Sequence, residues 1–558
     1  MDGMLASDCD GDGYSTMVPG TTSHGSLHTR SSSSSALLEV NQVSSGCDTL
    51  ALLPHRPQPL PLPPPQHAGL GESECDIDAE GVWAPANMRA EAVWLLRSSF
   101  PIVMSSLSQL LLMVPMLAAV GKLGTVALAS MNLVSIYSGL GGIAPLSGMA
   151  MALDSLCSQA YTGSRDRRLL GVYLQRVLLC IVMVLVLIYP LWWNAAIIYR
   201  HLGVPLAVAE VTGRLLRMYF FGVAVLMVYE CLKSYLFAQG VRGFAVAAQA
   251  VGLPLGWLSI WLLISNDATS LGVLGVPYVV MVVGLSFSAV ALLYMRRVDS
   301  CRQCWGGWTR DAFSDLRPVL KLGLAGSAVA FFESVSLHLI DLGSLFLSAE
   351  HMAAQAILSV LMTSTWVLGT GFAVAACNRV GNLLGSRQPN RTHLAVNTTL
   401  LLAAGGFLAL GVVVFGARNM LPAAFTDDEQ VAAILRFHVV WPAAAGAVQG
   451  VNMACSGILR GQGRQVLIAR IRVLSVVCVG IPLGVISVAV LRWDLAGLWL
   501  AYFASLVAAL CALLAAVFAT NWDNEIDRCQ RRVYKAMLAT TPELDPAACV
   551  PVLPLATP

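Results

Sequence analysis

The chain has 558 residues, 56% hydrophobic and 12% charged, with 34 Lys and Arg against 32 Asp and Glu for a net charge of +2. Soluble proteins carry roughly 25% charged residues, so this composition excludes a disordered chain and an ordinary cytosolic enzyme. With a mean hydropathy of +0.70 and no cationic excess, it also excludes a nucleic-acid partner held by a large positive field.

Residues 1–90 carry an acidic Gly-rich start, the run Ser31 to Ser35 and the Pro-rich stretch PHRPQPLPLPPPQ at 54–66. Such a stretch buries too little apolar surface to offset backbone entropy, which predicts a disordered tail. No basic start leads into an apolar run, so no cleavable signal peptide is expected. Apolar blocks of the roughly 20 residues needed to span a bilayer then follow at about 100–120, 127–153, 172–194, 213–238, 244–265 and 271–295. Six more follow at about 319–348, 352–377, 394–416, 432–458, 468–491 and 496–520. The stretch 521–558 is polar and then Pro-rich, and reads as a second tail.

Cations crowd the even-numbered connections: Arg165, Arg167 and Arg168; Arg296 to Lys321; Arg379, Arg387 and Arg391; Arg460, Arg464, Arg470 and Arg472; and Arg528 to Lys535. The odd connections are poorer, apart from the one holding Arg200, Arg214 and Arg217. The positive-inside rule then places both termini in the cytoplasm. The 14 cysteines are scattered without a pairing framework, so disulfides are not expected.

The two halves resemble each other. Gly163-Ser-Arg after block two returns as Gly385-Ser-Arg after block eight, 222 residues on (385 − 163). YLFAQG at 235–240 faces ILRGQG at 458–463, LPLGW at 253–257 faces IPLGV at 481–485, and ALASMNLVS at 127–135 resembles HMAAQAILS at 351–359. Six helices per repeat is an even number, so the halves share one orientation about an axis along the membrane normal. The expected fold is an all-α polytopic membrane protein with two six-helix bundles around a central cleft. Its bounds are a tail at 1–90, bundles at 91–300 and 318–520, a linker at 301–317 and a tail at 521–558.

Ionisable residues inside the bilayer cost at least ~2.5–3.5 kcal/mol and are functional candidates. Block seven holds Glu333, His338 and Asp341 in FFESVSLHLIDLGS. His338 and Asp341 are three residues apart and share a face. Glu333 and Asp341 lie about 80° apart, so all three fit one cavity wall. They are the candidate proton-coupling groups, with Glu333 expected as the main proton carrier. Asp154 is read either as functional or as paired with nearby Arg residues; Glu230 is read either as functional or as paired with Lys233. Gln355, Gln449, Asn132 and Asn452 are uncharged polar residues in apolar blocks, suited to substrate or to interhelical hydrogen bonds. Aromatics such as Tyr137, Phe331, Phe332 and Trp366 can stack on a flat cation. Pro115 inside block one frees a carbonyl and suggests a hinge.

Other motifs point to no cofactor. Asp8-x-Asp10-x-Asp12-Gly13 has Pro19 where a calcium loop needs Glu. Cys301-x-x-Cys304 lacks a second ligand pair. The sequons at Asn390 and Asn397 fall on the cytoplasmic side. A nucleotide-binding GxxxxGK[ST] loop is missing, which argues against an ATP pump.

The stretches GKLGTVALA (121–129), ALDSLCSQAYTGS (152–164), GVYLQR (171–176), SYLFAQG (234–240), AAQAIL (353–358), FAVAACNRVGNLLG (372–385) and SGILRGQG (456–463) resemble the multidrug and toxic compound extrusion family over about residues 90–520. The eukaryotic branch is the most similar. The resemblance implies alternating access and export of organic cations, drugs or metabolites, with protons as the counter-ion, by a monomer. Glu333 falls on the Glu those members use for proton coupling. Where they carry a second Glu, this chain has His338; their helix-ten acid is Gln449 here, and an acid of animal members is Val360. The sequence-based expectation is therefore an antiporter in the plasma or vacuolar membrane, taking a small organic cation against protons, with no nucleic-acid partner. A lipid flippase or other solute transporter not driven by protons, and a non-transporting scaffold, are the alternatives.

Overall fold

The computed structural model describes residues 85–540, except Leu345, Asp427 and Arg492. The expected N-terminal tail, with its calcium-loop-like start and Pro-rich run, lies outside them except for its last residues. The described residues are helical, with no strand among them.

Twelve helices are long and apolar enough to cross a membrane, numbered here in chain order. In the first half they are α1 Ala86–Gly121, α2 Thr125–Gly163, α3 Leu169–Trp193, α4 Leu206–Ala238, α5 Gly243–Ser265 and α6 Gly272–Arg297. In the second half they are α7 Leu316–Ser344, α8 Ala349–Gly385, α9 Pro389–Asn419, α10 Glu429–Gly461, α11 Gln465–Val488 and α12 Leu495–Phe518. A π-turn interrupts α2 at Gly139–Ile143, and another closes α5 at Trp261–Ser265. Pro115 sits within a helix assigned without a break from Pro85 to Gly121.

The repeat read in the sequence is a repeat of packing. In the first half α2 and α3 pack on α4, α4 on α6, and α1 on α5. In the second half α8 and α9 pack on α10, α10 on α12, and α7 on α11. Across the halves α2 packs on α7, and its counterpart α8 packs on α1; α2 and α8 also pack on each other.

Hydrogen bonds place these contacts along the bundle. Ser327 Oγ donates to the Pro145 carbonyl at 2.5 Å, Thr162 Oγ1 to the Asn382 carbonyl at 2.7 Å and Gln159 Nε2 to the Gly461 carbonyl at 2.6 Å. All lie between mid-depth and the end where α1 begins, called the terminal end here. No hydrogen bond or ion pair among the described residues joins the halves near the opposite, far end. A Cβ on Gly326 would stand 2.2 Å from the Gly148 carbonyl oxygen, so backbone meets backbone where α2 crosses α7. Small residues permit that approach in a membrane, where close packing replaces the hydrophobic effect between helices.

Three expectations change. First, α1 begins well before the expected block, at Pro85. Glu91 sits inside the protein because Arg379 of α8 forms a bidentate pair with it at 2.7 and 2.6 Å. Second, the stretch expected as a C-terminal tail contains α13, Trp522–Thr540. Its Trp522, Ile526, Cys529, Val533 and Ala536 are buried at helical spacing, the pattern of an amphipathic helix. Arg532 Nη1 donates to Gln159 Oε1 at 2.7 Å and Gln530 Nε2 to the Gly385 carbonyl at 2.8 Å, so α13 touches both halves. Third, the linker is strapped onto α3. Gln175 Nε2 donates to the Gly307 carbonyl at 2.7 Å, and Arg176 Nη2 to the Asp311 carbonyl and the Ser314 hydroxyl, each at 3.1 Å.

Candidate functional site: a paired-charge interior

In lipid every backbone polar group of α7 is satisfied by its own helix, so its polar side chains must find partners on neighbours. Asp341 does so on α8. Its Oδ1 accepts from Gln355 Nε2 at 2.9 Å and from Ser359 Oγ at 2.7 Å. Gln355 Oε1 accepts in turn from the indole N–H of Trp499 on α12 at 2.8 Å. Gln355 and Trp499 are buried. The other oxygen, Oδ2, faces His338 Nδ1 at 3.3 Å. The His338 and Asp341 side chains keep 41% and 39% of their exposure, so this edge is open. One carboxylate oxygen is held by fixed neutral donors, and the other shares an open space with an imidazole.

Glu333 is drawn elsewhere. Its carboxylate stands 3.2 Å from Arg472 Nη2 on α11, with both side chains nearly buried. The expected single wall of three groups therefore separates into a half-open His338–Asp341 pair and a closed Glu333–Arg472 pair.

The same pairing recurs through the interior. Asp154 faces Arg460 of α10 at 3.7 Å, with 3% and 9% side-chain exposure. Glu230 pairs with Lys233 one turn along α4. Glu91 pairs with Arg379, whose guanidinium also lies over the Trp94 ring at 4.5 Å. Five acids of the spanning helices thus each stand opposite a base. Isolated charges in a low-dielectric interior are costly, and pairing is what makes them tolerable.

The uncharged candidates are dispersed. Gln355 belongs to the Asp341 network. Asn452 is buried and donates from Nδ2 to the Leu506 carbonyl at 3.0 Å, which ties α10 to α12. Gln449 is buried one turn away, and Asn132 is exposed on α2 in the other half. Tyr137 donates its hydroxyl to the Leu191 carbonyl at 2.9 Å. Phe331 and Trp366 are exposed.

Sequence reasoning missed Ser359, Trp499, Arg472 and the Glu91–Arg379 pair. Ser359 was legible, four residues from Gln355 on one helical face. Arg472 was counted with a cytoplasmic connection, yet it lies inside the expected block 468–491. A cation there was a signal of an acid on another helix.

Two like six-helix halves around paired interior charges define a polytopic membrane protein. The MatE family profile matches residues 101–262 and 328–486, in both halves. The chain is 26% identical over 463 residues to an uncharacterized transporter of Schizosaccharomyces pombe, C4B3.13, covering 82% of this chain and 86% of the relative. It is 26% identical to Protein DETOXIFICATION 16 of Arabidopsis thaliana, covering 79% of this chain and 90% of the relative. To Multidrug and toxin extrusion protein 2 of Pongo abelii it is 25% identical, over 72% of this chain and 71% of the relative. The solved eukaryotic MATE transporter AtDTX14 superposes with a TM-score of 0.75 at 22% identity, covering 80% of this chain and 99% of that one. The chain belongs to the MatE family, the multidrug and toxic compound extrusion transporters, with relatives in its eukaryotic branch. It is an integral membrane transporter and not an enzyme.

Proposed function

We propose that this transporter exchanges protons for organic cations by alternating access, with the His338–Asp341 pair as the exchange site. One observation carries the reading. Of the five paired acids, Asp341 faces an imidazole, while the others face guanidinium or ammonium groups. Imidazole is the basic side chain whose ordinary titration falls between about pH 5 and 8. With the imidazole protonated the pair is neutral. With the proton gone, Asp341 is the interior acid left without a cation, and an organic cation takes the vacant role. The groups around it, Gln355, Ser359 and Trp499, carry no charge that competes.

The bundle and its cations support an outward direction. The halves meet from mid-depth to the terminal end, which also carries Arg165, Arg167, Arg168, Arg387 and Arg391. The positive-inside rule assigns that end, and both chain termini, to the cytoplasm. The site then faces the outer side, where protons displace cargo. Release into the medium or into a vacuole fits the same geometry, in a monomer whose second half by itself supplies the side chains of the site.

The test is ethidium flux in proteoliposomes under an imposed pH gradient. Asp341→Asn keeps the hydrogen-bonding shape but removes the charge, and should abolish gradient-driven flux. His338→Ala should retain downhill exchange while losing the response to the gradient. Full gradient-driven flux in Asp341→Asn would sink the reading, as would wild-type flux indifferent to pH.

A further inference from the structure

We infer that Arg472 is a positioning residue that withdraws Glu333 from the proton cycle and keeps it as a fixed internal counter-charge. The inference builds on the exchange reading above and concerns the second acid of the same helix.

Four observations carry it. The Glu333 carboxylate and Arg472 Nη2 are 3.2 Å apart, on α7 and α11. Their side chains retain only 9% and 4% of their exposure, against about 40% for His338 and Asp341. Arg472 Nε and Nη2 are buried without a hydrogen-bond partner, so the carboxylate is what compensates this charge. Tyr502 of α12 and Cys455 of α10 lie within electrostatic reach of the pair, and both side-chain types are neutral at pH 7 in their ordinary state.

A guanidinium does not give up its proton in a protein. Protonating Glu333 would therefore leave a buried cation uncompensated, which costs far more than protonating an open carboxylate beside an imidazole. The two acids of α7 then divide their tasks. Asp341 with His338 exchanges the proton. Glu333 with Arg472 joins α7 to α11 and keeps the local charge constant through the cycle. Removing Glu333 alone should impair transport by stranding Arg472, and this would imitate the loss of a proton carrier.

Two measurements on the full-length chain in liposomes separate these causes. The first is infrared difference spectroscopy between about pH 5 and pH 8. A Glu333 carboxyl band should be silent in the wild type and should appear in Arg472→Gln, assigned by its loss in the Glu333→Gln/Arg472→Gln double variant. A Glu333-dependent band in the wild type overturns the inference. The second is gradient-driven ethidium flux. Glu333→Gln should fall at least about tenfold, and the charge-neutral double variant should recover to within about threefold of wild type with an unchanged pH profile. A double variant as inactive as Glu333→Gln, beside an Arg472→Gln that transports normally, also overturns it. If the wild type itself shows no gradient-driven flux, the antiport reading fails, while the infrared band, which needs no cargo, still decides the role of Arg472.

Discussion

The Glu91–Arg379 pair offers the sharpest test of how the two halves are held together. Glu91 begins α1 and Arg379 ends α8, and their two hydrogen bonds of 2.7 and 2.6 Å cross from one half to the other. The side chains are 7% and 4% exposed. Glu91→Gln preserves volume and leaves the guanidinium without a counter-charge. Removing one partner of a buried pair costs about 3–5 kcal/mol. Arg379 also lies over Trp94 at 4.5 Å, but that contact is present before and after and offsets nothing. At about 1.4 kcal/mol per factor of ten, the folded population relative to the unfolded should drop by about two to three and a half orders of magnitude. Replacing both partners with apolar residues, Glu91→Leu with Arg379→Met, should return stability to within about 1 kcal/mol of wild type or above it. The assay is reversible unfolding in mixed micelles, followed by tryptophan fluorescence, for the wild type, both single variants and the double. A single-variant loss below about 1 kcal/mol, or a double variant no better than its singles, would refute the argument that pairing rather than burial sets the cost.

Two further outcomes are expected. Arg532→Ala removes the hydrogen bond from α13 to Gln159 and leaves a buried acceptor unsatisfied, at a cost of about 1–3 kcal/mol. Hydrogen exchange should show residues 522–540 losing protection before the spanning helices do; uniform loss across the chain would mean α13 is not a separate unit. In the linker, burial pushes the Cys301 thiol up to about 12 and the Cys304 thiol up to about 11, with the neighbouring thiol adding to the shift of Cys301. A thiol whose folded value is raised contributes stability that is complete below its ordinary value of about 8.5 and is lost as pH climbs toward the folded one. Maleimide at neutral pH should leave both unmodified in the folded chain, and alkaline pH should loosen the linker from α3. Rapid labelling of Cys301 at neutral pH would contradict its burial.

By itself the sequence determined the membrane class, twelve spans, the two-fold repeat and the family. These rest on composition and on periodicity along one chain, which need no knowledge of neighbours. It also put His338 and Asp341 on one face, since helical geometry is local. Its mistakes were of another kind. Polar residues near the edges of apolar blocks were read as connection or tail, as with Arg379, Arg472 and the whole of α13, and Glu91 was given no part at all. Whether a charge lies in water or inside the protein depends on its partner, and these partners come from helices 139 to 373 residues away in sequence. Only the tertiary structure decided that Glu333 meets Arg472 while Asp341 meets His338. An ion pair is a property of two helices brought together, and one apolar block carries no record of what packs against it.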